Sequence, residues 1–339
     1  MTPESHLLFD SRWSGLHGIG RFARELRTRL PGPITDLTGA HPVSARGLAE
    51  SELSPHRVVR GREQETTYFS PGYTPCLSWR GPHAFTVHDL IHLDVPGERS
   101  RIKDLYYRQV VRRAVRRRAG VVLTVSAFSR DRIAEWAGVP TDRIQVVGNG
   151  VSTTFRPDGQ VHNDPAGPYV LHVGNTKPHK NLPTVLTALS GIPEARLVLV
   201  ARPDADLMDH ANRLGMQDRI QFVTDIDDAT LAALYRGAQA VVTASTYEGF
   251  GMSALEGMAC GVPVVASDLT SLPEVVGDAA VMVDPADVDS VRSGIERALT
   301  DADLRTRLAQ AGPERAADFR WDAVAHRVAT ALELDGENR

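Results

Sequence analysis

The sequence predicts an α/β protein of two domains, each built on a parallel sheet. Short runs rich in Val, Ile and Leu alternate with stretches of helical pattern along the chain. Strands that are apolar throughout and separated by helices are typical of parallel sheets covered on both faces. The length of 339 residues corresponds to two domains of about 100–200 residues each.

The predicted elements follow in chain order. A strand HLLFDS (6–11) precedes a helix RFARELRTRL (21–30), and later strands are VVLTVS (121–126), RIQVVGNG (143–150), YVLHVGN (169–175), ARLVLVA (195–201), AVVTAS (240–245), VPVVAS (262–267) and AAVMVD (279–284). The segment FRPDGQVHNDPAGP (155–168) is rich in Pro, Gly and Asp and is predicted to link the domains. We therefore predict an N-terminal domain over 1–154 and a second domain over 165–312. After a bend at Gly312-Pro313, a helical segment over 313–339 is predicted to pack back toward the N-terminal domain.

Composition and hydropathy exclude several other classes of protein. Hydrophobic residues make up 42% and charged residues 24% of the chain, which is unlike disordered, collagen-like or coiled-coil sequences. No uninterrupted apolar run reaches about 18 residues, and the first residues lack the basic start of a signal peptide. The two cysteines, Cys76 and Cys260, cannot build a disulfide framework or a zinc site. We therefore expect a cytoplasmic protein.

The most informative segment is STYEGFGMSALEGMACGVPVVAS, residues 245–267. It begins where a predicted strand ends, passes through a loop containing Gly249 and Gly251, and continues into a predicted helix. Glycines let a backbone approach a ligand closely, and a helix N-terminus offers unpaired N–H groups to an anion. Glu248 and Glu256 can accept directed hydrogen bonds from hydroxyl groups at two points of one extended ligand. The alternative interpretation is a helix cap at Glu248 and a solvated side chain at Glu256.

A second candidate segment is HVGNTKPHKNL, residues 172–182, which also follows a predicted strand. Only three of the 38 basic residues are lysines, and two of those, Lys177 and Lys180, lie in this segment. Ligands of open α/β sheets bind beyond the carboxyl ends of the strands, so both segments are candidates for one site. A solvated loop residue is the alternative for Lys177.

These segments, together with several others, resemble the family 4 glycosyltransferases, which are retaining enzymes of GT-B fold that use nucleotide sugars. The similarity extends in order along LHGIGRF, VHDLIHL, TVSAFSRDRI, VVGNGV, HVGNTKPHKNL, FVTDIDDATLAALYRGAQAVV, LPEVVGDAAVMVDPAD and FRWDAVAHRVATAL. The resemblance implies two Rossmann-like domains with a deep cleft between them. The basic N-terminal half would bind the acceptor and the acidic C-terminal half the nucleotide-sugar donor.

The resemblance also assigns roles around the segment 245–267. Glu248 would contact hydroxyl groups of the transferred sugar, and Glu256 would hold the ribose hydroxyls of the nucleotide. The remaining donor contacts would come from backbone atoms of Phe250, Gly251 and Met252 toward the sugar, and of Ser253 toward the phosphates.

In the segment 172–182, Lys180 matches the phosphate-binding lysine of the family. A fixed cation there stabilises the negative charge that accumulates on the leaving diphosphate. His179 stands where many relatives carry Arg, so the second basic contact of the family is altered. Lys177 is the candidate to supply the missing positive charge.

In the N-terminal domain, the resemblance places Gly18 and Gly20 in a loop that faces the donor phosphate and the acceptor. The spacing of LHGIGR does not match G-x-G-x-x-G, which excludes a nicotinamide fingerprint, and a tight turn is the alternative role for this loop. His88 would lie near the sugar and completes the predicted catalytic set with Glu248 and Lys180. A buried, hydrogen-bonded core histidine is the alternative for His88.

We therefore predict transfer of a hexose from a nucleoside-diphosphate sugar to a glycan, lipid-linked or small-molecule acceptor, with retention of configuration. GDP-mannose is the favoured donor, because the motifs look like the mannosyl- and rhamnosyltransferase branch, and UDP-sugars come next. No metal or other cofactor is expected. Three alternatives stay open: a metal-dependent GT-A transferase with D-x-D candidates at Asp204, Asp287 and Asp301, a nucleotide-sugar epimerase of GT-B fold, and a non-catalytic sugar-nucleotide-binding protein.

A strongly basic stretch lies at 99–118, which contains nine Lys and Arg residues and a single acidic residue, Asp104. A solvated helix face is one interpretation. Peripheral contact with an anionic membrane is the other, since each basic side chain near such a surface contributes about 1 kcal/mol. Binding to nucleic acid is not expected, because interleaved aromatic residues and a recognition motif are missing.

Overall fold

The computed structural model describes residues 6–15, 18–42, 44–118 and 120–334. The chain forms two compact units. The first contains the chain up to Asp94, then Arg99–Gly150, and the part from Trp321 onward, while the second contains Val95–Glu98 and Val151–Arg320. Each unit holds a six-stranded sheet in which all neighbouring strands pair in parallel. The predicted α/β class is confirmed.

Twelve strands lie in the described part of the chain. They are β1 (His6–Asp10), β2 (Ile34–Leu37), β3 (Thr66–Ser70), β4 (His83–Thr86), β5 (Val121–Thr124), β6 (Ile144–Val146), β7 (Val170–Val173), β8 (Leu197–Val200), β9 (Ile220–Val223), β10 (Ala240–Thr243), β11 (Val264–Ser267) and β12 (Val281–Val283). Each strand that the sequence predicted is present.

The α-helices alternate with these strands. They are α1 (Gly18–Arg27), α2 (Ala45–Val59), α3 (Ile91–Asp94), α4 (Arg101–Tyr106), α5 (Arg112–Arg116), α6 (Ala127–Ala137), α7 (Leu182–Ser190), α8 (Ala205–Arg213), α9 (Asp228–Gly237), α10 (Met252–Ala259), α11 (Leu272–Val276), α12 (Val288–Thr300), α13 (Ala302–Ala316) and α14 (Trp321–Ala331). A π-helical segment, Tyr107–Val111, joins α4 to α5. None of the helices within the described residues is long and apolar enough to cross a bilayer.

Several helices begin at an aspartate whose carboxylate accepts a hydrogen bond from a first-turn amide. Asp204 caps α8, Asp287 caps α12 and Asp301 caps α13. Such a cap contributes about 1 kcal/mol to helix stability. The three D-x-D pairs of the sequence therefore serve as helix starts. Within the described residues, no three His, Cys, Asp or Glu side chains come together as a group that could hold a metal ion.

The sheet of the second unit determines where a ligand can bind. Its strand order is β12-β11-β10-β7-β8-β9, so chain order reverses between β7 and β10. All residues of β10 and β11 are buried, which explains their continuously apolar sequence. In open α/β sheets, the crevice outside the carboxyl ends of the strands at such a reversal is the usual ligand site. The loops that follow β7 and β10 start from neighbouring strands at this point.

The predicted interdomain segment 155–168 lies within the second unit. The ring of Phe155 meets Tyr235 edge-on at 5.9 Å between centroids, and the amide of His162 donates to the carbonyl of Ala233 over 3.0 Å. Its Pro, Gly and Asp residues therefore form a loop attached to α9.

The bend predicted at Gly312-Pro313 is wrong, because α13 continues through both residues to Ala316. A Cβ on Gly312 would lie 2.9 Å from the carbonyl oxygen of Met258 on α10. Glycine is needed at this position because α10 and α13 approach each other closely. This packing keeps the helix intact although Pro313 removes one backbone donor.

Candidate functional site

The candidate site lies where β7 and β10 end in the second unit. The ammonium of Lys180, in the loop after β7, is 2.6 Å from Oε1 of Glu248, in the loop after β10. The hydroxyl of Ser245 donates to the same oxygen over 2.7 Å. Both ionic side chains are only 13% exposed. The structure thus brings together two residues of the predicted catalytic set.

Hydrogen bonds between the two loops hold this pair in place. The amide of Thr246 donates to the carbonyl of His179 over 2.8 Å. Asn181, with a left-handed φ of 57°, donates through its side-chain amide to the carbonyls of Ala244 at 3.0 Å and Pro285 at 2.8 Å. These bonds lie on both sides of Lys180 and anchor the start of the loop that carries Glu248. The two side chains are therefore positioned by backbone contacts as well as by their own pairing.

The main chain of Glu248 is fixed from a third element, the turn before α11. Its amide donates to the hydroxyl of Thr270 over 3.1 Å, and its carbonyl accepts from the hydroxyl of Ser271 over 2.9 Å. The N-cap of α10 is Gly251, not Glu248. The alternative that Glu248 is a helix cap is therefore wrong, and its side chain is left to face Lys180.

The electrostatics of the site favour a charged pair. Burial alone raises the pKa of Glu248, but the charge and hydrogen bond of Lys180 outweigh it and lower the pKa overall. Burial lowers the pKa of His172 on β7 to about 4, and the nearby Lys180 acts in the same direction. His172 is therefore neutral at neutral pH, and its Nδ1–H donates to the carbonyl of Val242 over 3.0 Å. Its Nε2 is buried and has no hydrogen-bond partner among the described residues.

Lys177 and His179 face a carboxylate that sequence analysis did not single out. Lys177 Nζ lies 2.7 Å from Oε2 of Glu98, and Nδ1 of His179 lies 3.3 Å from Oε1 of the same residue. Burial lowers the pKa of His179, and Lys180 lowers it further against the opposing effect of Glu248 and Glu98. His179 is therefore a weaker base than an ordinary histidine and a poor replacement for the Arg of the family.

The start of α10 has the geometry expected of a backbone binding loop. Gly251 has a φ of 110°, which L side chains rarely adopt, and a Cβ there would lie 2.6 Å from Cδ2 of Leu272, so glycine is strongly favoured. Gly251 also lacks a side-chain acceptor for the first amides of α10. The ring of Phe250 is buried against Phe319, with centroids 5.7 Å apart, and the hydroxyl of Ser253 is 3.2 Å from that of Thr243. The side chains of Phe250 and Ser253 thus pack inside the second unit and support the loop.

Glu256 is buried, with 4% of its surface exposed. Its Oε2 accepts a hydrogen bond of 3.0 Å from the hydroxyl of Tyr235 on α9. The alternative that Glu256 is a solvated side chain is therefore wrong. A buried carboxylate held in a fixed orientation can bind a pair of hydroxyl groups.

The predicted site residues His88, Gly18 and Gly20 lie in the first unit. Nε2 of His88 lies 2.8 Å from the carbonyl oxygen of Pro71, and its ring packs against Phe22 and Tyr73. Gly18 begins α1, and a Cβ on Gly20 would lie 1.8 Å from the carbonyl oxygen of Gly15. Residues 16 and 17 of the predicted loop LHGIGR lie outside the described residues.

Five residues of the site were missed by the sequence analysis. They are Glu98, His172, Tyr235, Ser245 and Thr270, all in the second unit. Ser245 and His172 lie at or near strand ends, in the candidate segments 245–267 and 172–182. Their position alone could have indicated them, because ligands bind beyond strand ends. Glu98 and Tyr235 are remote in sequence from the residues that they contact, and nothing in a single sequence indicates such pairings.

Two family models match the chain. The model described as Glycosyl transferases group 1 matches residues 158–315, and the model described as Glycosyltransferase Family 4 matches residues 64–155. Together they span most of the sequence and leave the two ends unmatched.

Two curated relatives are mannosyltransferases by name. The chain is 34% identical over 232 residues to O-antigen chain mannosyltransferase B of Escherichia coli, a match that covers 64% of this chain and 61% of that protein. It is 32% identical over 235 residues to MMP alpha-(1->4)-mannosyltransferase of Mycolicibacterium hassiacum, covering 66% of this chain and 56% of that protein. The chain thus spans about three fifths of the length of these relatives.

Solved structures share the fold at low sequence identity. Sucrose-phosphate synthase from Thermosynechococcus elongatus superposes with a TM-score of 0.75 at 20% identity, over 96% of this chain and 97% of that one. Anabaena Alr3699/HepE, in complex with UDP and glucose, superposes with a TM-score of 0.75 at 19% identity, over 97% of this chain and 99% of that one.

Proposed function

Because the chain belongs to the GT-B glycosyltransferases, with a family 4 match in its first half and a group 1 match in its second, we propose that it transfers a hexose from a nucleoside-diphosphate sugar to a hydroxyl acceptor. The observation that carries the proposal is the partly buried pair Lys180–Glu248, 2.6 Å apart at the point where the strand order of the second sheet reverses. A cation and a carboxylate side by side suit a ligand with phosphates next to a polyol.

Each part of the donor has a group of matching chemistry. Lys180 and the amides at the start of α10 bind the diphosphate, because a helix N-terminus favours anions. The sugar hydroxyls take Glu248, and the ribose hydroxyls take Glu256, which Tyr235 orients. The bond between the anomeric carbon and the diphosphate breaks with its electron pair leaving on the diphosphate, and the acceptor oxygen forms the new bond to that carbon. The acceptor's proton passes to the leaving diphosphate, and Lys180 stabilises the negative charge that develops there.

The donor we propose first is GDP-mannose, used with retention of configuration. Support for mannose comes from the two relatives, which are mannosyltransferases by name. A UDP-sugar is the second choice, since the structurally similar Anabaena protein was solved with UDP and glucose. The acceptor is a glycan, a lipid-linked sugar or a small molecule that offers a hydroxyl group.

We also propose that the enzyme works in the cytoplasm, in peripheral contact with an anionic membrane through 99–118. On α4, Ile102 is 81% exposed and Leu105 is 60% exposed. Arg101 and Arg108 are exposed close to them. Two exposed aliphatic side chains among basic ones are suited to insertion between anionic head groups.

One experiment separates this function from its alternatives. The chain is incubated with GDP-mannose or UDP-glucose and a panel of hydroxyl acceptors, with and without EDTA, and the products are identified by NMR. We expect an acceptor-dependent α-linked product and free nucleoside diphosphate, in equal yield with EDTA. An altered or freed sugar in the absence of acceptor indicates an epimerase. Donor binding without turnover indicates a non-catalytic binding protein, and loss of product in the presence of EDTA indicates a metal-dependent transferase.

A further inference from the structure

One short segment of the chain crosses from one unit into the other. Val95–Glu98 belongs to the second unit, although the sequence on both sides of it belongs to the first. Its 3-10 turn, Pro96–Glu98, lies beside the turn Pro178–Lys180 that follows β7. A Cβ on Gly97 would come within 3.0 Å of Cγ of Pro178, so the two turns are in close contact.

This segment brings a carboxylate to the lysine-containing loop. The side chain of Glu98 is 5% exposed, whereas that of Lys177, 2.7 Å away, is 46% exposed. The same carboxylate lies 3.3 Å from Nδ1 of His179, which is also buried. Each lysine of the loop therefore has its own carboxylate, Glu98 for Lys177 and Glu248 for Lys180.

We propose that Glu98 is a positioning residue that holds Lys177 away from the donor diphosphate, so that Lys180 is the side-chain cation that binds the phosphates. This inference depends on the proposed function, because it requires a diphosphate to bind at the loop.

The difference in burial between the two partners decides where Lys177 stays. A half-exposed lysine loses little when it leaves an ion pair, because water solvates its ammonium. A buried carboxylate that loses a charge-assisted hydrogen bond keeps the desolvation penalty of that site, which is much larger. Glu98 therefore retains Lys177 even when a phosphate is within reach.

The arrangement has a consequence for catalysis. A second cation on the diphosphate would bind donor and product alike, and binding that is equal in all states does not raise kcat. It would slow release of the nucleoside diphosphate. Holding Lys177 on Glu98 keeps product affinity moderate, while Lys180 supplies the charge that matters as the bond breaks.

The test is a double-mutant cycle on diphosphate affinity, read by calorimetry with GDP and with UDP. Glu98→Gln preserves size but removes the charge, and releases Lys177 to the phosphates. We expect the dissociation constant of the better ligand to fall about three- to tenfold. Lys177→Met alone should change it by less than about twofold, and the double variant should lose the gain.

Several outcomes overturn the inference. An unchanged or weaker affinity in Glu98→Gln does so, as does a gain that persists when Lys177 is also replaced. A marked loss in Lys177→Met alone places Lys177 on the phosphates and overturns it even if Glu98→Gln does not fold. The control is Glu314→Gln on α13, which removes one exposed negative charge from the same unit and should leave the affinity unchanged. Failure of the wild-type protein to bind either GDP or UDP instead overturns the proposed function, and the inference with it.

Discussion

The hydroxyl of Tyr235 donates a 3.0 Å hydrogen bond to Oε2 of Glu256 and so joins α9 to α10. Tyr235 has no exposed surface, and Glu256 has 4%. A buried carboxylate that is held in this way has one orientation and presents it to whatever binds at α10. The bond therefore connects a residue of the protein core to the proposed ribose contact.

Tyr235→Phe should weaken nucleoside-diphosphate binding by about threefold to tenfold and leave kcat near that of the wild type. The variant removes a hydrogen bond to a charged group, worth about 1.5–3 kcal/mol, and part of that loss appears as poorer orientation of Glu256. Calorimetry measures the change in diphosphate affinity, and urea unfolding separately measures the change in the free energy of unfolding.

Tyr169→Phe is the matched control for this prediction. Its hydroxyl also makes a buried hydrogen bond in the second unit, to the carbonyl of Leu234 over 2.7 Å, but it touches no proposed donor contact. We expect a loss of about 1 kcal/mol in the free energy of unfolding, with unchanged diphosphate affinity. An equal loss of affinity in both variants shows that Tyr235 acts only through stability.

Glu248 and Glu256 should separate sugar recognition from nucleotide recognition. In Glu248→Gln, we expect kcat/KM to fall well over tenfold while affinity for the free diphosphate stays near normal, because the lost charge lies at the sugar. In Glu256→Ala, we expect donor KM to rise and diphosphate affinity to fall. Calorimetry on both variants checks the orientation of the donor, and a Glu248→Gln variant that loses diphosphate binding as badly as Glu256→Ala contradicts it.

Much of the fold could be predicted from the sequence because its central strands are buried on both faces. β10 and β11 are fully buried and consist of Ala, Val, Thr and Ser, so their pattern is unambiguous. β9, at the edge of its sheet, is half-buried throughout, and β2 contains polar residues, so neither gave a clear strand pattern. The bend expected at Pro313 failed because packing of Gly312 on α10 overrides a local preference.

Only part of the candidate site could likewise be predicted from the sequence. Lys180, Glu248 and Gly251 lie in loops whose residue types are demanded locally, by charge or by a positive φ, and they were predicted. The roles of Glu98 and Tyr235 depend on which elements pack together in three dimensions. Pairings over 79 residues, as between Glu98 and Lys177, leave no periodic or compositional trace.

Lys180→Ala should lower kcat by about 10²–10³ at saturating donor, the effect of one lost electrostatic donor at a transition state. Lys180→Arg should restore only part of the rate, because a planar guanidinium cannot take the position of the ammonium. Since Lys180 and Glu248 contact each other directly, the effects of Lys180→Ala and Glu248→Gln should not add in the double variant. Single-turnover rates provide the measurement, and a rate within twofold of the wild type for Lys180→Ala contradicts the assignment.

Gly251→Ala should destabilise the protein by about 2–4 kcal/mol and reduce donor binding. The φ of 110° is unfavourable for any L side chain, and the new Cβ would lie 2.6 Å from Leu272. Gly215→Ala is the control, because its φ is also positive, at 66°, but no atom lies within 4 Å of the added Cβ. We expect a cost of about 1 kcal/mol there and full donor affinity. Equal costs in urea unfolding of the two variants contradict the proposed close contact.

His172 should make the protein less stable as the pH falls from 7 to 5. Its pKa is lowered to about 4 in the folded protein, first by burial and then by Lys180, whereas an unfolded histidine has a pKa of about 6.5. Below pH 6.5 the unfolded chain therefore binds a proton that the folded protein excludes. The free energy of unfolding decreases as the pH falls and levels off near pH 4. Above pH 7 neither state is protonated, so this residue contributes no pH dependence there.

The magnitude follows from the two pKa values, and a variant isolates it. At pH 5 the proton that favours the unfolded state is worth about 2 kcal/mol. His172→Asn keeps a side-chain N–H for the carbonyl of Val242, which Nδ1 contacts over 3.0 Å, but has no group to titrate. Urea unfolding of both proteins at pH 7 and pH 5 gives two differences, and we expect the wild-type difference to exceed that of the variant by about 2 kcal/mol. His179, whose pKa is also lowered by burial, contributes in the same direction to both proteins and therefore cancels in the comparison. If the two differences are equal, His172 is not held neutral beside Lys180, and the electrostatic description of the site must change.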